Sequence, residues 1–302
     1  MDEHAGRVSG DVYQRVTAEI IRAIEAGIEG AYQMPWHRHT ALGFPENALS
    51  KRPYHGFNTL ALWAASELRG YAVPLWATYR QWGRLGAQVR RGEKATLIVF
   101  YQEETTPSLP ANESDARKRV LVRVSYVFNA VQVDGFQVEE PRTEDRTLRL
   151  DEADAFIGRL GATIRYGGDH ACYQRSTDRI HMPERSRFVG TDTSTATEAF
   201  YATLLHEHVH WTGHPSRLDR DLAGYFGSNA YAMEELVAEL GAAFLCADLG
   251  VANEPRMDQA LYVKSWLAVL REKRTALVRA ASAATKACRY LAELGAAVRA
   301  ET

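Results

Sequence analysis

The sequence predicts an α+β protein of two domains, and three observations support this prediction. The chain has 302 residues, of which 46% are hydrophobic and 25% are charged, so it is longer than a typical single domain and can bury a sizeable core. Helical and strand-like apolar patterns both occur along it. A polar segment at 139–146 is typical of an interdomain linker, and we place the boundary there, between domains of residues 1–145 and 146–302.

The N-terminal domain mixes helix and strand patterns. Between the two expected strands, segment 103–118 is rich in Glu, Ser, Thr and Pro, which predicts a mobile loop. Leu60, Leu62 and Trp63 are expected to form a buried helix face. The apolar spacing predicts helices at 11–26, 58–68 and 78–85, and strands at 96–101 and 120–128.

The C-terminal domain is expected to open with a helix at Asp151. A further helix is predicted at 196–211, because Thr195 and Glu198 form a capping box at its start. A basic, alanine-rich helix at 263–294 closes the chain. It is either a solvated surface helix, which we favour, or a second contact to DNA.

Residues 206–210 read His-Glu-His-Val-His, an H-E-x-x-H pattern inside the predicted helix. Residues four apart on a helix are neighbours, so His206 and His210 can bind one Zn²⁺ through their ring nitrogens. Such an ion lowers the pKa of a water molecule to about 7, and Glu207 is suited to take its proton as general base. His208 would point away from the ion. The alternative is a surface helix that is rich in His and Glu by chance.

A third ligand is expected on the next helix, predicted at 231–245. Glu235 and Glu239 lie one turn apart there, on the edge of an apolar face, so one can bind the metal while the other orients a ligand. Their spacing resembles the E-x-x-x-D of the gluzincin metallopeptidases, which implies that Glu235 is the ligand and Glu239 the orienting residue. Glu234 is a competing candidate for the ligand, but it points about 100° away from Glu235 on a helix, so both cannot serve.

Basic and aromatic residues are interleaved in the N-terminal domain. The whole chain carries a net charge of −2, which argues against a general polyanion binder, but window 51–101 contains eight basic and two acidic residues. Aromatic faces stack on unpaired bases while Lys and Arg contact phosphates, a combination that suits single-stranded nucleic acid. Aromatic residues of a buried core give the same pattern. The candidate nucleic-acid contacts are Trp36, Arg38, Lys51, Arg52, Tyr54, Asn58, Trp76, Arg80, Arg90, Arg91 and Lys94.

These motifs together resemble one family, the ArdC-type antirestriction proteins, over nearly the whole chain. The resemblance is carried in the first half by Trp36 with its Met-Pro neighbours and by segments 52–58, 91–94 and 127–132. In the second half it is carried by segments 206–210, 211–214, 217–220 and 234–239, which resemble the fused metallopeptidase domain.

The resemblance implies a plasmid- or mobile-element-encoded protein that protects DNA entering a new host during conjugation. It implies an N-terminal domain that binds single-stranded DNA and a zincin-like C-terminal domain that holds a divalent metal. It also implies that His206, His210 and Glu235 are ligands, that Glu207 is the general base and that Glu239 supports a ligand histidine.

Three functions remain open at this level. The first is a metal-dependent peptidase that cuts restriction enzymes or other DNA-bound host proteins. The second is a single-strand binder that shields incoming DNA, in which the metal only stabilises the fold. The third, a metal-dependent nuclease or direct inhibitor, fits less well because nuclease sites favour carboxylate-rich pairs of metals. The ligand set accepts Zn²⁺, Mn²⁺ or Co²⁺.

The sequence also predicts where the protein acts. No apolar run approaches the length of a membrane-spanning helix, and the N-terminus lacks the basic and then apolar order of a signal peptide. We therefore expect a cytoplasmic protein without a membrane partner. Cys172, Cys246 and Cys288 are scattered, which predicts neither a disulfide framework nor a zinc knuckle.

Overall fold

The computed structural model describes residues 2–29, 34–38, 43–105, 118–138, 146–191, 194–222, 224, 228–253, 259–273 and 275–301. The architecture is α+β, as predicted. Most of the expected loop at 103–118 and most of the expected linker at 139–146 lie outside the described residues, and the boundary near residue 145 stays a prediction. No helix in the described ranges is long and apolar enough to cross a membrane.

In the part of the N-terminal half that the structure describes, four helices combine with two small sheets. Its elements are α1 (Asp2–Glu29), α2 (Pro35–Arg38), β1 (Glu46–Asn47), α3 (Phe57–Arg69), β2 (Leu75–Ala77), α4 (Tyr79–Arg84), β3 (Gln88–Val89), β4 (Thr96–Thr105), β5 (Lys118–Asn129) and β6 (Val133–Asp134). One sheet has the order β1-β2-β5-β4 and the other pairs β3 with β6. Strands β4 and β5 pair antiparallel as far as Thr105 opposite Lys118, so the ends of the expected loop are strand instead.

The described residues of the C-terminal half form five helices and a three-stranded sheet that the sequence did not predict. Its elements are α5 (Arg146–Arg159), β7 (Thr163–Tyr166), β8 (Cys172–Gln174), β9 (Arg179–Met182), α6 (Ala196–Thr212), α7 (Asn229–Leu249), α8 (Gln259–Glu272) and α9 (Ala276–Glu301). The sheet has the order β7-β9-β8, with β7 parallel and β8 antiparallel to β9, so β8 is an edge strand. Helix α5 begins before Asp151, where its start was predicted.

Local sequence signals fix the two helices that carry the candidate metal ligands. The Thr195 hydroxyl accepts from the Glu198 N–H and the Glu198 carboxylate accepts from the Thr195 N–H, which confirms the predicted capping box of α6. Ser228 caps α7 by accepting from the Tyr231 N–H. Helix α7 ends at Gly250, whose φ of 65° is left-handed and therefore favours glycine.

The prediction of a single helix at 263–294 is wrong, because the described residues of this region form two helices. Helix α8 ends at Glu272, and α9 starts again with the Arg279 N–H donating to the Thr275 carbonyl. Thr275 is of the type that favours a helix start, a signal that the run of alanines obscured. The face of α9 that packs on the core is lined by alanines, whereas Lys286 and Arg289 are exposed.

One hydrophobic core joins residues from both halves of the chain. It includes Ile20 of α1, Trp63 of α3 and Phe244 of α7. The Trp63 and Phe244 rings lie 6.0 Å apart, and the Trp36 ring of α2 lies 6.5 Å from that of Trp266 in α8. Helices α1, α2 and α3 therefore cover the helical layer that carries the candidate metal ligands.

Candidate metal centre

His206 and His210 lie on the same face of α6, as their spacing predicts. Their Nε2 atoms are 3.1 Å apart. His206 is buried and His210 is partly buried. His208, between them, is fully buried on another side of the helix, where its Nδ1 bonds to the Leu204 carbonyl. The helix thus aims two imidazole nitrogens at one point and holds the third imidazole away from it.

Glu235 of α7 supplies the third candidate ligand. Its Oε1 lies 3.4 Å from His210 Nε2, and its Oε2 lies 3.6 Å from His206 Nε2. One ligand atom from each of the three residues lies within 4.8 Å of the others. Burial alone raises the pKa of the Glu235 carboxyl, but its hydrogen bonds with the two histidines outweigh burial and hold the pKa well below its usual range.

Glu234, the competing candidate, faces the other side of His210. Its Oε1 accepts from His210 Nδ1 at 3.1 Å, and both of its oxygens accept from Arg220, at 2.8 and 3.0 Å. Burial raises the pKa of Glu234, but His210 and Arg220 together outweigh it and lower the pKa. Glu234 and Arg220 therefore orient His210, a pairing that sequence reasoning missed although it had singled out both segments.

The donor set fits a divalent cation. A carboxylate only accepts, so His210 Nδ1 carries the proton that bonds to Glu234, and in the neutral ring Nε2 is left with a lone pair. The Nδ1 atom of His206 faces Glu239, and its Nε2 atom faces Glu235, as the Nε2 atom of His210 does. Two imidazole lone pairs 3.1 Å apart repel each other unless a cation or a proton lies between them. Two imidazoles and a carboxylate are the ligand types that Zn²⁺ and related ions accept.

Glu239 lies behind the ligands, one turn along α7 from Glu235. It is buried, and its Oε2 is 3.8 Å from His206 Nδ1. This position suits the predicted supporting role. Its other oxygen, Oε1, accepts from Trp36 Nε1 at 3.1 Å and lies 2.9 Å from His37 Nε2. Sequence reasoning missed these two contacts, because it assigned Trp36 to nucleic acid.

A cleft of about 210 Å³ opens onto the ligands. Glu207 and Tyr231 line it together with the three candidate ligands. Cys172 of the edge strand β8 also lines the cleft, and partial burial together with the Glu207 charge raises the pKa of its thiol. The cleft therefore joins the general-base candidate, the ligands and an edge strand.

Several of the candidate nucleic-acid contacts are core residues, which corrects their expected role. Trp36, Tyr54 and Trp76 are 1%, 8% and 0% exposed, so none presents a ring face on which a base could stack. Asn58 donates to the Val99 carbonyl and accepts from the Val99 N–H, which joins α3 to β4. Aromatic residues interleaved with bases are compatible with a core as well as with a binding surface, and these three side chains are part of the core.

The basic candidates, in contrast, are exposed. Arg90 is held in its turn, because it donates to Glu93 and to the Val131 carbonyl. Arg91 and Lys94 extend from the same turn into solvent. The side chain of Arg38 lies outside the described residues. The remaining exposed candidates are Lys51, Arg52 and Arg80.

Exposed aromatic residues that the sequence did not single out lie beside these bases. Tyr79 is 55% exposed and Tyr126 is 51% exposed. Tyr79, Arg91 and Phe128 line one open cleft, and Tyr126, two residues before Phe128 on β5, faces the same side of the sheet. The surface therefore offers ring faces next to basic side chains, although not those of the predicted tryptophans.

Comparison with known proteins gives a consistent assignment for both halves. Residues 10–129 match the N-terminal domain of anti-restriction factor ArdC, and residues 151–283 match the zincin-like metallopeptidase family. The uncharacterized protein y4eC of Sinorhizobium fredii is 45% identical over 280 residues, which cover 91% of this chain and 89% of that protein. A DNA primase TraC of Escherichia coli is 40% identical over 291 residues, but these make up only 26% of TraC.

Solved structures agree with the sequence matches. The metal-free crystal structure of the antirestriction protein ArdC from plasmid R388 is 35% identical, with a TM-score of 0.73 over 95% of this chain and 98% of that one. The Mn(II)-bound structure of the same protein gives a TM-score of 0.72 over 94% and 98%. The chain therefore belongs to the family of ArdC antirestriction proteins, with an ArdC-type N-terminal domain followed by a zincin-like metallopeptidase domain.

Proposed function

We propose that the protein protects incoming plasmid DNA from host restriction in the cytoplasm, and that its metal centre does so by hydrolysing peptide bonds. The observation that carries this proposal is the convergence of His206, His210 and Glu235 on one point of a cleft that Glu207 also lines. Membership of the ArdC family and the relatives in plasmid R388 and TraC support the antirestriction role.

His206, His210 and Glu235 would hold the ion, which we propose to be Zn²⁺, or Mn²⁺ or Co²⁺ depending on supply. When bound, such an ion polarises a carbonyl oxygen and makes water acidic enough to react near neutral pH. The chain supplies the proton transfers, because Glu207 can take a proton from water and return it to the departing amine. The edge strand β8 can align an extended peptide along the cleft through backbone hydrogen bonds.

A proteolysis assay tests the hydrolytic part. Fluorescently labelled casein, an unfolded protein, is incubated with full-length protein and Mn²⁺ or Zn²⁺. Glu207→Gln keeps the size of the side chain but cannot take a proton, so we expect the cleavage rate to fall by about 10²-fold or more while metal binding persists. Glu184→Gln, on an exposed glutamate that does not line the cleft, is the matched control. Equal rates for wild type and Glu207→Gln would instead favour a protective DNA binder whose metal is structural.

We further propose that single-stranded DNA binds at the surface formed by Tyr79, Tyr126, Arg91 and Lys94. Exposed rings beside exposed bases support this, since unpaired bases stack on aromatic faces while cations contact phosphates.

Fluorescence anisotropy with a labelled oligo-dT tests the DNA proposal. The double variant Arg91→Ala/Lys94→Ala should bind more weakly and lower the slope of log K against log salt by roughly 1 to 2. Lys286→Ala/Arg289→Ala removes the same charge from α9 and should bind like wild type. If the α9 variant is the weaker of the two, the DNA surface lies on α9.

A further inference from the structure

Two residues of the N-terminal half reach the back of the candidate metal centre. Trp36 and His37 lie on α2, and both are buried. The Trp36 Nε1–H donates to Glu239 Oε1 at 3.1 Å, and His37 Nε2 lies 2.9 Å from the same oxygen. Some 200 residues of chain separate α2 from α7, so this contact is made by the tertiary fold alone.

The structure fixes which nitrogen of His37 carries the proton. The backbone N–H of Met34 donates to His37 Nδ1 at 3.0 Å, so Nδ1 is an acceptor and has no proton. The proton of the neutral ring is therefore on Nε2, which donates to Glu239 Oε1. Met34, His37 and Glu239 thus form a directed series of hydrogen bonds that runs from the backbone just before α2, through His37, to α7.

This series points toward a candidate ligand. Because Oε1 of Glu239 accepts from both Trp36 and His37, the rotation of the carboxylate is fixed, and Oε2 is turned toward His206 Nδ1, 3.8 Å away. A carboxylate at Nδ1 of a ligand histidine holds the ring in the tautomer that leaves Nε2 for the metal. A buried carboxylate also needs donors to remain charged.

We propose that Trp36 and His37 are positioning residues of the metal centre, so that the N-terminal half completes a site whose ligands all lie in the C-terminal half. They act through Glu239, which fixes the ring of His206. This inference rests on the proposed metal site. Metal affinity should then depend on two side chains of α2 that touch neither the ion nor its ligands.

The test measures metal affinity by calorimetric titration of full-length protein with Mn²⁺, and ligand geometry by the visible absorption of Co²⁺. His37→Phe removes the donor and should weaken Mn²⁺ binding by about 10–100-fold. Trp36→Phe removes one donor of the pair and should weaken binding less. His37→Gln places an N–H near the former Nε2 and should restore most of the affinity, a rescue that general loss of packing does not predict.

Trp82→Phe is the matched control, because it removes a buried indole N–H that donates to the Phe128 carbonyl, far from Glu239. Its Mn²⁺ affinity and Co²⁺ spectrum should match wild type. Wild-type affinity in both Trp36→Phe and His37→Phe overturns the inference, as does an equal loss in Trp82→Phe. If His37→Phe does not fold, the comparison of Mn²⁺ affinity between Trp36→Phe and Trp82→Phe decides whether the inference holds. If wild type itself binds no divalent ion, the proposed metal site fails, which is a separate result.

Discussion

Two adjacent glutamates on α7 face different sides of the proposed metal centre. Glu235 faces Nε2 of both histidines, whereas Glu234 accepts from His210 Nδ1 and from Arg220. A rotation of about 100° between neighbours on a helix separates the two roles. The proposed centre therefore has carboxylates on both sides of His210, one facing the candidate ligand nitrogens and one behind the ring.

Exchanging each carboxylate for an amide should distinguish these tasks. Glu235→Gln removes a ligand charge and should lower Mn²⁺ affinity by about 10²-fold or more, whereas Glu234→Gln removes only the orienting acceptor and should lower it by about 10-fold. Glu234→Gln should in addition destabilise the fold, because Arg220 loses its buried partner. Calorimetric titration and urea denaturation measure the two effects. A larger loss of affinity in Glu234→Gln would reverse the assignment.

His208 makes stability depend on pH. Burial lowers the pKa of its imidazole from 6.5 to about 4, so the folded protein binds this proton less readily than the unfolded chain. The contribution of His208 is therefore complete above pH 6.5 and is lost as pH falls toward 4, by about 3 kcal/mol. Urea denaturation in EDTA should show that His208→Gln loses less stability than wild type over this range. Equal losses would contradict a buried neutral imidazole.

The sequence indicated the candidate ligands and Glu239, but not the other groups that support them. H-E-x-x-H fixes a geometry through helical periodicity alone, so His206 and His210 could be chosen from spacing, whereas the choice of Glu235 depended on the resemblance to the gluzincin metallopeptidases. Trp36 and His37 reach Glu239 only through the tertiary fold, and no local pattern encodes a contact across 203 or 202 positions.

At the scale of elements, close packing of α6 on α7 brings the ligands together. A Cβ atom added at Gly241 would lie 2.7 Å from Cγ2 and 2.9 Å from Cγ1 of Val209. Val209 lies next to His210 on α6, and Gly241 lies on α7 two residues beyond Glu239. The absence of a side chain at Gly241 therefore allows the close approach of the two helices.

Gly241→Ala should push the helices apart. The clash should cost about 1–3 kcal/mol of stability, because Val209 is β-branched and cannot turn away. This cost should exceed the roughly 1 kcal/mol that alanine gains over glycine in helix propensity. Mn²⁺ affinity should fall with it. Val209→Ala/Gly241→Ala should be more stable than the sum of the single effects predicts, by about 1 kcal/mol, in urea denaturation. Additive effects would mean that the two positions do not meet.

Elements with strong end signals were predicted well, and those without them were not. The capping box of α6 could be predicted because it is formed by local hydrogen bonds between residues three apart. The sheet of β7, β8 and β9 was missed, since its strands have three or four residues each. Such short strands show little alternation of apolar and polar residues.

At the scale of the whole molecule, one hydrophobic core connects the half that carries the proposed DNA surface to the half that carries the proposed metal site. Two ring contacts connect the halves, one between Trp63 and Phe244 and one between Trp36 and Trp266. Arg271 of α8 also pairs with Glu25 of α1. Composition and linker signals predicted two domains but could not predict this contact, because amphipathic patterns show that a face is buried and not what covers it.

Loading with metal should therefore stabilise both halves together. At a free ion concentration of 100 Kd, we expect a gain of about 2.7 kcal/mol, which EDTA removes. In thermal unfolding of Co²⁺-loaded protein, loss of the visible Co²⁺ absorption and loss of far-UV circular dichroism should occur in one transition. Two well-separated transitions would show that the halves unfold independently.

Conjugative transfer tests the central claim most directly. A plasmid that encodes wild type, Glu207→Gln or Arg91→Ala/Lys94→Ala is transferred into a restricting and a non-restricting host, and the ratio of the two efficiencies measures protection. The account predicts that Glu207→Gln folds, binds Mn²⁺ and binds oligo-dT like wild type, yet loses protection as fully as the double variant. Full protection by Glu207→Gln would contradict a hydrolytic role, and it would leave DNA binding as the source of protection.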